Sequence, residues 1–401
     1  MAVVVVGCGI VGAACAHELA RRGVDVAVYE SGTIGGGSTA RAAGGVRTQF
    51  STRVNVELSL ASLPVWESFE DRFGINIGFR QFGYLLLARE PETAAAFREN
   101  AAMQRDLGVP VEFLEPSTLR ERHPEIHADG FRGATYAGCD GFADPYLALQ
   151  GYVAAAREEG ATIHTHSPVT DVIREGDAGG TGGDGGADNC DGNGEAPVAG
   201  VVVDGERIDA EAVVNAAGPW AARVAGMAGI DLPVTPRRRQ ALVVDPATPI
   251  PDGTPLTIDL DVGAYFRPER DGAAVVGGEF GGEDPRQDPD DYDEGTDLDW
   301  AATAIERAAD VADYFGPETR IRRGWAGLYA VTPDHHPILE ETVPGFLNAV
   351  GFSGHGFQHA PATGTVVAEL LLDGDPTTVE VSSLRLDRFD EGTPHVERNV
   401  A

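Results

Sequence analysis

The 401-residue chain has no lysine. All 30 of its basic residues are arginine, set against 63 Asp and Glu, for a formal net charge of −33. Without lysine, Schiff-base catalysis and covalent pyridoxal phosphate linkage are excluded. The acidic excess would repel phosphate backbones, which argues against a nucleic-acid partner. Dense carboxylates without lysine resemble the composition of proteins from salt-accumulating halophiles, where ionic screening tolerates such self-repulsion. Cysteine is scarce too. Cys8, Cys15, Cys139 and Cys190 form no CxxC pair and no zinc-type Cys/His cluster. Cys8 and Cys15 stand about 10 Å apart along a helix axis, beyond disulfide reach. His335 and His336 precede Pro337 in a loop and read as exposed side chains, so no metal site is expected. No run approaches the roughly 18 apolar residues of a membrane span. Met1 leads directly into a strand and a glycine loop, without the segments of an export signal. These absences point to a non-membrane chain in a reducing cytoplasm.

What is present is a mixed α/β pattern. Residues 3–6 are a β-branched run, small and apolar residues follow at helical spacing to Arg22, and residues 24–29 are again strand-like, ending on Glu30. This is a βαβ unit with a helix of about 12 residues. Helices are expected over 58–73, 93–107, 146–159, 300–315 and 361–372. Strands are expected over 84–88, 162–164, 169–174, 198–203, 212–215, 240–244, 264–267 and 273–277. Residues 175–197, almost all Gly, Asp and Asn in their middle, cannot offset their ordering entropy and are expected to be a disordered insertion. Residues 284–299 form an acid-rich loop, and those from about 391 read as a frayed tail.

Gly7-Cys8-Gly9-Ile10-Val11-Gly12 is a GxGxxG turn between a strand and a helix. Gly7 permits the turn, Gly9 lets backbone approach a pyrophosphate, and Gly12 lets helix pack on strand. The helix N-terminus offers free N–H groups to phosphate. Glu30, 18 residues after Gly12, is placed to accept from ribose hydroxyls and would repel a 2′-phosphate, leaving NAD or FAD. Ser353 is not a nucleophile elbow, because His355 takes the last glycine position of GxSxG.

Further motifs choose between the cofactors. Residues 37–47 (GSTARAAGGVR), 140–145 (DGFADP), 213–220 (VVNAAGPW), 265–268 (YFRP), 325–334 and 351–358 (GFSGHGFQ) occur in an order that resembles the D-amino-acid oxidase/sarcosine oxidase superfamily of FAD-dependent amine oxidoreductases over nearly the whole chain. Proline dehydrogenase β-subunits and sarcosine/dimethylglycine dehydrogenases look closest. The resemblance implies FAD contacts at Gly7, Gly9, Ile10, Val11, Gly12, Glu30 and Ser31. It implies more at Gly37, Ser38, Thr39, Arg41, Val169, Ala217, Gly218, Trp220 and Gly327, and along Gly354, His355, Gly356, Phe357 and Gln358. It also implies hydride transfer from an amine-bearing carbon to flavin N5, giving an imine that water hydrolyses. Arginine is the best anchor for a substrate carboxylate, and Arg47, Arg267 and Arg323 are the candidates, with Tyr265 assisting. The catalytic set is therefore Arg47, Tyr265, Arg267, His355 and Gln358. Gly327 and Arg41 stand where relatives attach flavin to Cys or His, so the FAD is expected to be non-covalent. An oxygen-activating lysine is absent and Gln358 replaces another lysine, which favours an electron acceptor other than oxygen.

The fold class is α/β: a GxGxxG-type, Rossmann-like FAD domain with a second domain built on an antiparallel sheet. Residues 1–80, 140–222 and 322–375 are assigned to the FAD domain, and 81–139 and 223–321 to the substrate domain. The expected function is oxidation of a small amino acid resembling sarcosine, dimethylglycine or proline, with a possible partner subunit. The alternatives are a D-amino-acid or glycine oxidase or dehydrogenase, a nicotinamide dehydrogenase, and a flavin-bound non-catalytic assembly factor.

Overall fold

A computed structural model describes residues 1–176, 196–280, 282–390 and 395–400. The glycine-rich stretch expected over 175–197 lies outside them except at its ends, where Glu175 N donates to the Pro197 carbonyl (2.9 Å). No helix among the described residues is long and apolar enough to cross a membrane.

Strand β1 (Ala2–Val6), helix α1 (Ile10–Arg21) and strand β2 (Asp25–Tyr29) form the βαβ unit. β1 pairs in parallel with β2 on one side and with Ala212–Asn215 on the other. Thr162–His164, Phe346–Val350 and Ile338–Val343 complete a six-stranded sheet, parallel except for its last pair. Parallel strands buried on both faces read as continuous apolar runs, as the four valines of β1 do. The last long helix, Gly356–Asp373, packs on α1 at small residues: a Cβ on Gly364 would lie 2.7 Å from the Ala14 carbonyl oxygen.

The second sheet has eight strands, from Arg320–Val331 through Thr235–Asp245, Ala274–Gly278, Ala264–Pro268, Leu256–Asp259, Tyr84–Ala88 and Gly133–Ala137 to Val111–Leu114. Every junction is antiparallel except that of Leu256–Asp259 with Tyr84–Ala88. Arg320–Val331 pairs with Thr235–Asp245 as far as Val331, so this sheet extends past residue 322, where the sequence division begins the last FAD-domain segment.

Four expectations need correction. The helix expected over 58–73 begins earlier and is broken, as α2 (Arg53–Glu67) and Phe69–Phe73, at Ser68, whose Oγ donates to the Pro64 carbonyl. The last helix starts at Gly356 and carries Pro361 within it, rather than starting there. His336 is buried, its Nε2 donating to the His395 carbonyl (2.8 Å), so this histidine pair is not a free loop. Residues 395–400 are not a frayed end either: Glu397 and Asn399 are buried between α2 and the segment at 334–336.

Candidate active site

A cleft of about 710 Å³ runs between the two sheets. At one end it is built from backbone. Gly7 sits at φ +98°, and a Cβ there would lie 2.7 Å from the Ala216 carbonyl oxygen, so only glycine makes this turn without strain. A Cβ on Gly12 would lie 2.1 Å from the Gly7 oxygen. Gly12 does not line the cleft: it lets α1 rest on β1, while Gly7, Gly9, Ile10 and Val11 face the opening. The α1 N-terminus has no acid in its first turn and no side-chain cap on Gly9. Thr39 Oγ1 accepts from Ile10 N (3.1 Å). The unfilled N–H groups and the helix dipole favour an anion there.

Glu30 closes β2. Its carboxylate accepts from Cys8 N (2.8 Å) and Gly32 N (2.9 Å), pinning the glycine turn to the loop that follows. Ser31, Gly37, Val169, Ala217, Gly218 and Trp220 line the same end. Trp220 Nε1 donates to Asp290 (2.6 Å), and Ser38 Oγ to the Leu328 carbonyl (2.6 Å), so the acid-rich loop and the eight-stranded sheet hold this wall. Arg41 hydrogen-bonds the Gly36 and Gly37 carbonyls and pairs with Glu294. Its side chain lies over Gly327, whose added Cβ would be 2.8 Å from Arg41 Cβ.

The other end is built from side chains. The short strand Gly45–Val46 pairs with Gly141–Phe142 and delivers Arg47, which is buried. Arg47 N donates to Gln358 Oε1 (2.7 Å). The guanidinium lies over the Phe50 ring (4.4 Å), and its Nη2 reaches His355 Nε2 (3.2 Å) and the Asn399 carbonyl. Nη1 has no hydrogen-bond partner, and among the described residues no carboxylate lies within ion-pair distance. Burial lowers the Arg47 pKa, yet guanidinium remains a cation at any physiological pH.

Guanidinium can only donate, so His355 Nε2 accepts and the ring proton is on Nδ1, which is buried and unpartnered. Burial and then the Arg47 charge hold His355 well below the ordinary histidine range, leaving it neutral. Burial takes its neighbour His359 down to about 3. His355 precedes the last helix, whose first turn, like that of α1, carries neither acid nor side-chain cap. Gly354, at φ +93°, lies against the Tyr329 ring. Phe357 lines the cleft and stacks on Trp66 (4.8 Å), which donates through Nε1 to the Gln358 carbonyl (2.9 Å). Tyr84, Tyr265, Tyr329, Leu256 and Ile258 form the remaining wall. Burial raises all three phenol pKa values, so these tyrosines stay protonated.

The other two arginines stand elsewhere. Arg267 does not line the cleft: it donates to the Ala43 carbonyl (2.9 Å) and the Pro268 carbonyl (2.9 Å) and pairs with Glu269 (3.0 Å). Arg323 is exposed and lies over Trp325. Sequence reasoning missed Tyr84, Tyr329 and Asp140. Asp140 is buried and accepts from Thr48 N (2.8 Å), Thr48 Oγ1 (2.7 Å) and Gln49 Nε2 (3.0 Å), bracing the segment that carries Arg47. Burial, partly offset by those bonds, pushes its carboxyl up to about 6. Its place at the head of DGFADP was the available signal.

These residues suit FAD. The glycine cradle and the α1 N-terminus fit a pyrophosphate, and the uncapped helix start at Gly356, with an unpartnered His355 Nδ1 beside it, fits a polar ring edge. Comparison with known proteins gives the same cofactor. Residues 2–370 match the model of the family DAO, described as FAD dependent oxidoreductase. FAD-dependent oxidoreductase domain-containing protein 1 of Xenopus laevis is 32% identical over 99% of this chain and 84% of its own length. Glycine oxidase of Geobacillus kaustophilus is 28% identical over 92% of each chain. Among solved structures, L-proline dehydrogenase from P. horikoshii superposes with a TM-score of 0.84 at 32% identity, covering 97% of this chain and 98% of that one.

Proposed function

The chain belongs to the DAO family of FAD-dependent oxidoreductases, and from that premise we propose that it oxidises the C–N bond of a small N-substituted amino acid, of sarcosine, dimethylglycine or proline type. The observation that carries this reading is Arg47, a buried guanidinium facing the cleft with no carboxylate of the described residues paired to it. A substrate carboxylate supplies the missing anion through charge-assisted, two-pronged bonds. The likeness to an L-proline dehydrogenase at 32% identity supports a secondary amine over a D-amino acid.

When bound, FAD accepts the electron pair and hydrogen removed from the C–N unit, and the resulting imine is hydrolysed by water. The chain's own residues orient and dry the substrate. Arg47 holds the carboxylate, while the tyrosine and aliphatic wall excludes water and surrounds the carbon and nitrogen substituents. His355 stays neutral, with its Nε2 turned to Arg47, so it shapes this end of the cleft and is not the proton acceptor. Two positions that the family resemblance marks as flavin attachment points, Arg41 and Gly327, touch each other and hold no nucleophile, which supports non-covalent FAD. The chain has no lysine to activate oxygen, which supports another electron acceptor.

The test is anaerobic bleaching of the purified yellow protein by sarcosine, dimethylglycine, L-proline, glycine and D-amino acids, followed by admission of oxygen. Bleaching by an N-substituted amino acid, with slow recovery in oxygen, is expected. Arg47→Met should keep its FAD and lose at least about 100-fold in kcat/KM, roughly 3 kcal/mol of transition-state binding. If only D-amino acids bleach the flavin, or if Arg47→Met matches the parent, the reading fails.

A further inference from the structure

Arg47 is held partly by residues far along the chain. Glu397, buried, receives six hydrogen bonds. Its Oε1 accepts from Ser51 N (2.8 Å), Ser51 Oγ (2.6 Å) and Asn399 N (3.0 Å), and its Oε2 from Thr52 N (3.1 Å), Thr52 Oγ1 (2.6 Å) and Asn55 Nδ2 (3.2 Å). It thereby ties the segment to the residues that lead into α2 and, through Asn55, to its first turn. On its other side the segment is tied to 334–336: Glu397 N donates to the Asp334 carbonyl (3.0 Å), and His335 Nδ1 donates to the Glu397 carbonyl (3.1 Å). Two residues later, Asn399 Nδ2 donates to the Gln49 carbonyl (3.2 Å), and the Asn399 carbonyl accepts from Arg47 Nη2.

The chemistry of that last acceptor matters. A carboxylate from the protein would fix the guanidinium but neutralise it. A main-chain carbonyl fixes one nitrogen and leaves the full positive charge for a ligand. We propose that residues 395–400 are a positioning element of the substrate site: Glu397 rivets the segment to α2 so that the Asn399 carbonyl aims the Arg47 guanidinium at the substrate carboxylate. This rests on Arg47 being the carboxylate anchor. Glu397 and Asn399 act through Arg47 and are not themselves catalytic residues.

The experiment titrates the FAD-loaded full chain with pyrrole-2-carboxylate, a non-oxidisable analogue of a cyclic secondary amino acid, and with its neutral isostere pyrrole-2-carboxamide. The flavin absorbance change is the readout. Wild type, Arg47→Met, Glu397→Gln and a chain lacking residues 395–401 are compared, with flavin content and melting temperature measured for each. In Glu397→Gln the amide N–H₂ faces the Ser51 or Thr52 donors, which dislodges the segment even if the truncated chain fails to fold. Glu397→Gln is expected to keep its FAD and to weaken carboxylate binding at least tenfold while changing carboxamide binding less than threefold. If both ligands weaken equally, the segment is merely structural and the proposal is overturned. If Arg47→Met loses carboxylate selectivity while Glu397→Gln and the truncated chain keep it, the proposal fails and the anchor stands. If wild type is no more carboxylate-selective than Arg47→Met, the anchor itself fails, and this role with it.

Discussion

The two ends of the cleft are made of different material. At the α1 end the working atoms belong to the backbone: glycine turns, N–H groups of a helix start, and carbonyls held by Arg41. At the Arg47 end they belong to side chains that come from residues 47, 84, 265, 329 and 355 and meet only after folding. The first end offers one shape, fixed by covalent geometry. The second offers a charge and a wall that can be retuned one residue at a time, so the first suits a shared cofactor and the second a particular substrate.

The contrast is broken most severely at Gly12. Gly12→Ala places a methyl 2.1 Å from the Gly7 oxygen, so α1 must lift from β1. We expect flavin binding to fall more than 100-fold and stability to fall by about 3 kcal/mol, overpacking with no room to relax. Absorbance of bound flavin and urea unfolding would check both. No single side-chain change at the other end should remove FAD so completely.

Asp140 sharpens the comparison, since its burial belongs to the side-chain end. Its folded-state pKa is raised from 3.8 to about 6. The protonated form is therefore favoured by folding: its contribution is full below pH 3.8 and is lost as pH rises through 6. Wild type should lose stability relative to Asp140→Asn across that window, by at most about 3 kcal/mol. Unfolding curves of both proteins from pH 4 to 7 would show it, and parallel curves would place the ionisation elsewhere. Arg267→Met should have the smallest effect. Its bonds to Ala43, Pro268 and Glu269 support the loop without facing the cleft, so kcat/KM should change less than about threefold while stability falls by about 1–2 kcal/mol. Steady-state kinetics would detect a larger role.

The same division explains how much was legible in the sequence. The α1 end could be read almost residue by residue, because its glycines are close in sequence and each answers a local steric demand. Arg47 could be named, since residues 37–47 are one loop. Its selection over Arg267 and Arg323 could not, because that depends on which arginine finds Glu269, Trp325 or an open cleft. The last helix, expected from about residue 361, starts at Gly356, where Phe357 packs on Trp66 across a distance in sequence that no local spacing reveals. Glu397 lies 346 residues from the Ser51 it binds, and no spacing rule connects them. A charged residue near the end of an acidic chain gives no hint that it will be buried.

The helix starts at Ile10 and Gly356, with no acid in their first turns, are small islands of positive potential in a molecule of formal charge −33. An anionic dinucleotide must cross a repulsive outer field before it meets either one. Capture should therefore quicken as dissolved ions shorten that field's reach, the reverse of the usual steering by opposite charge.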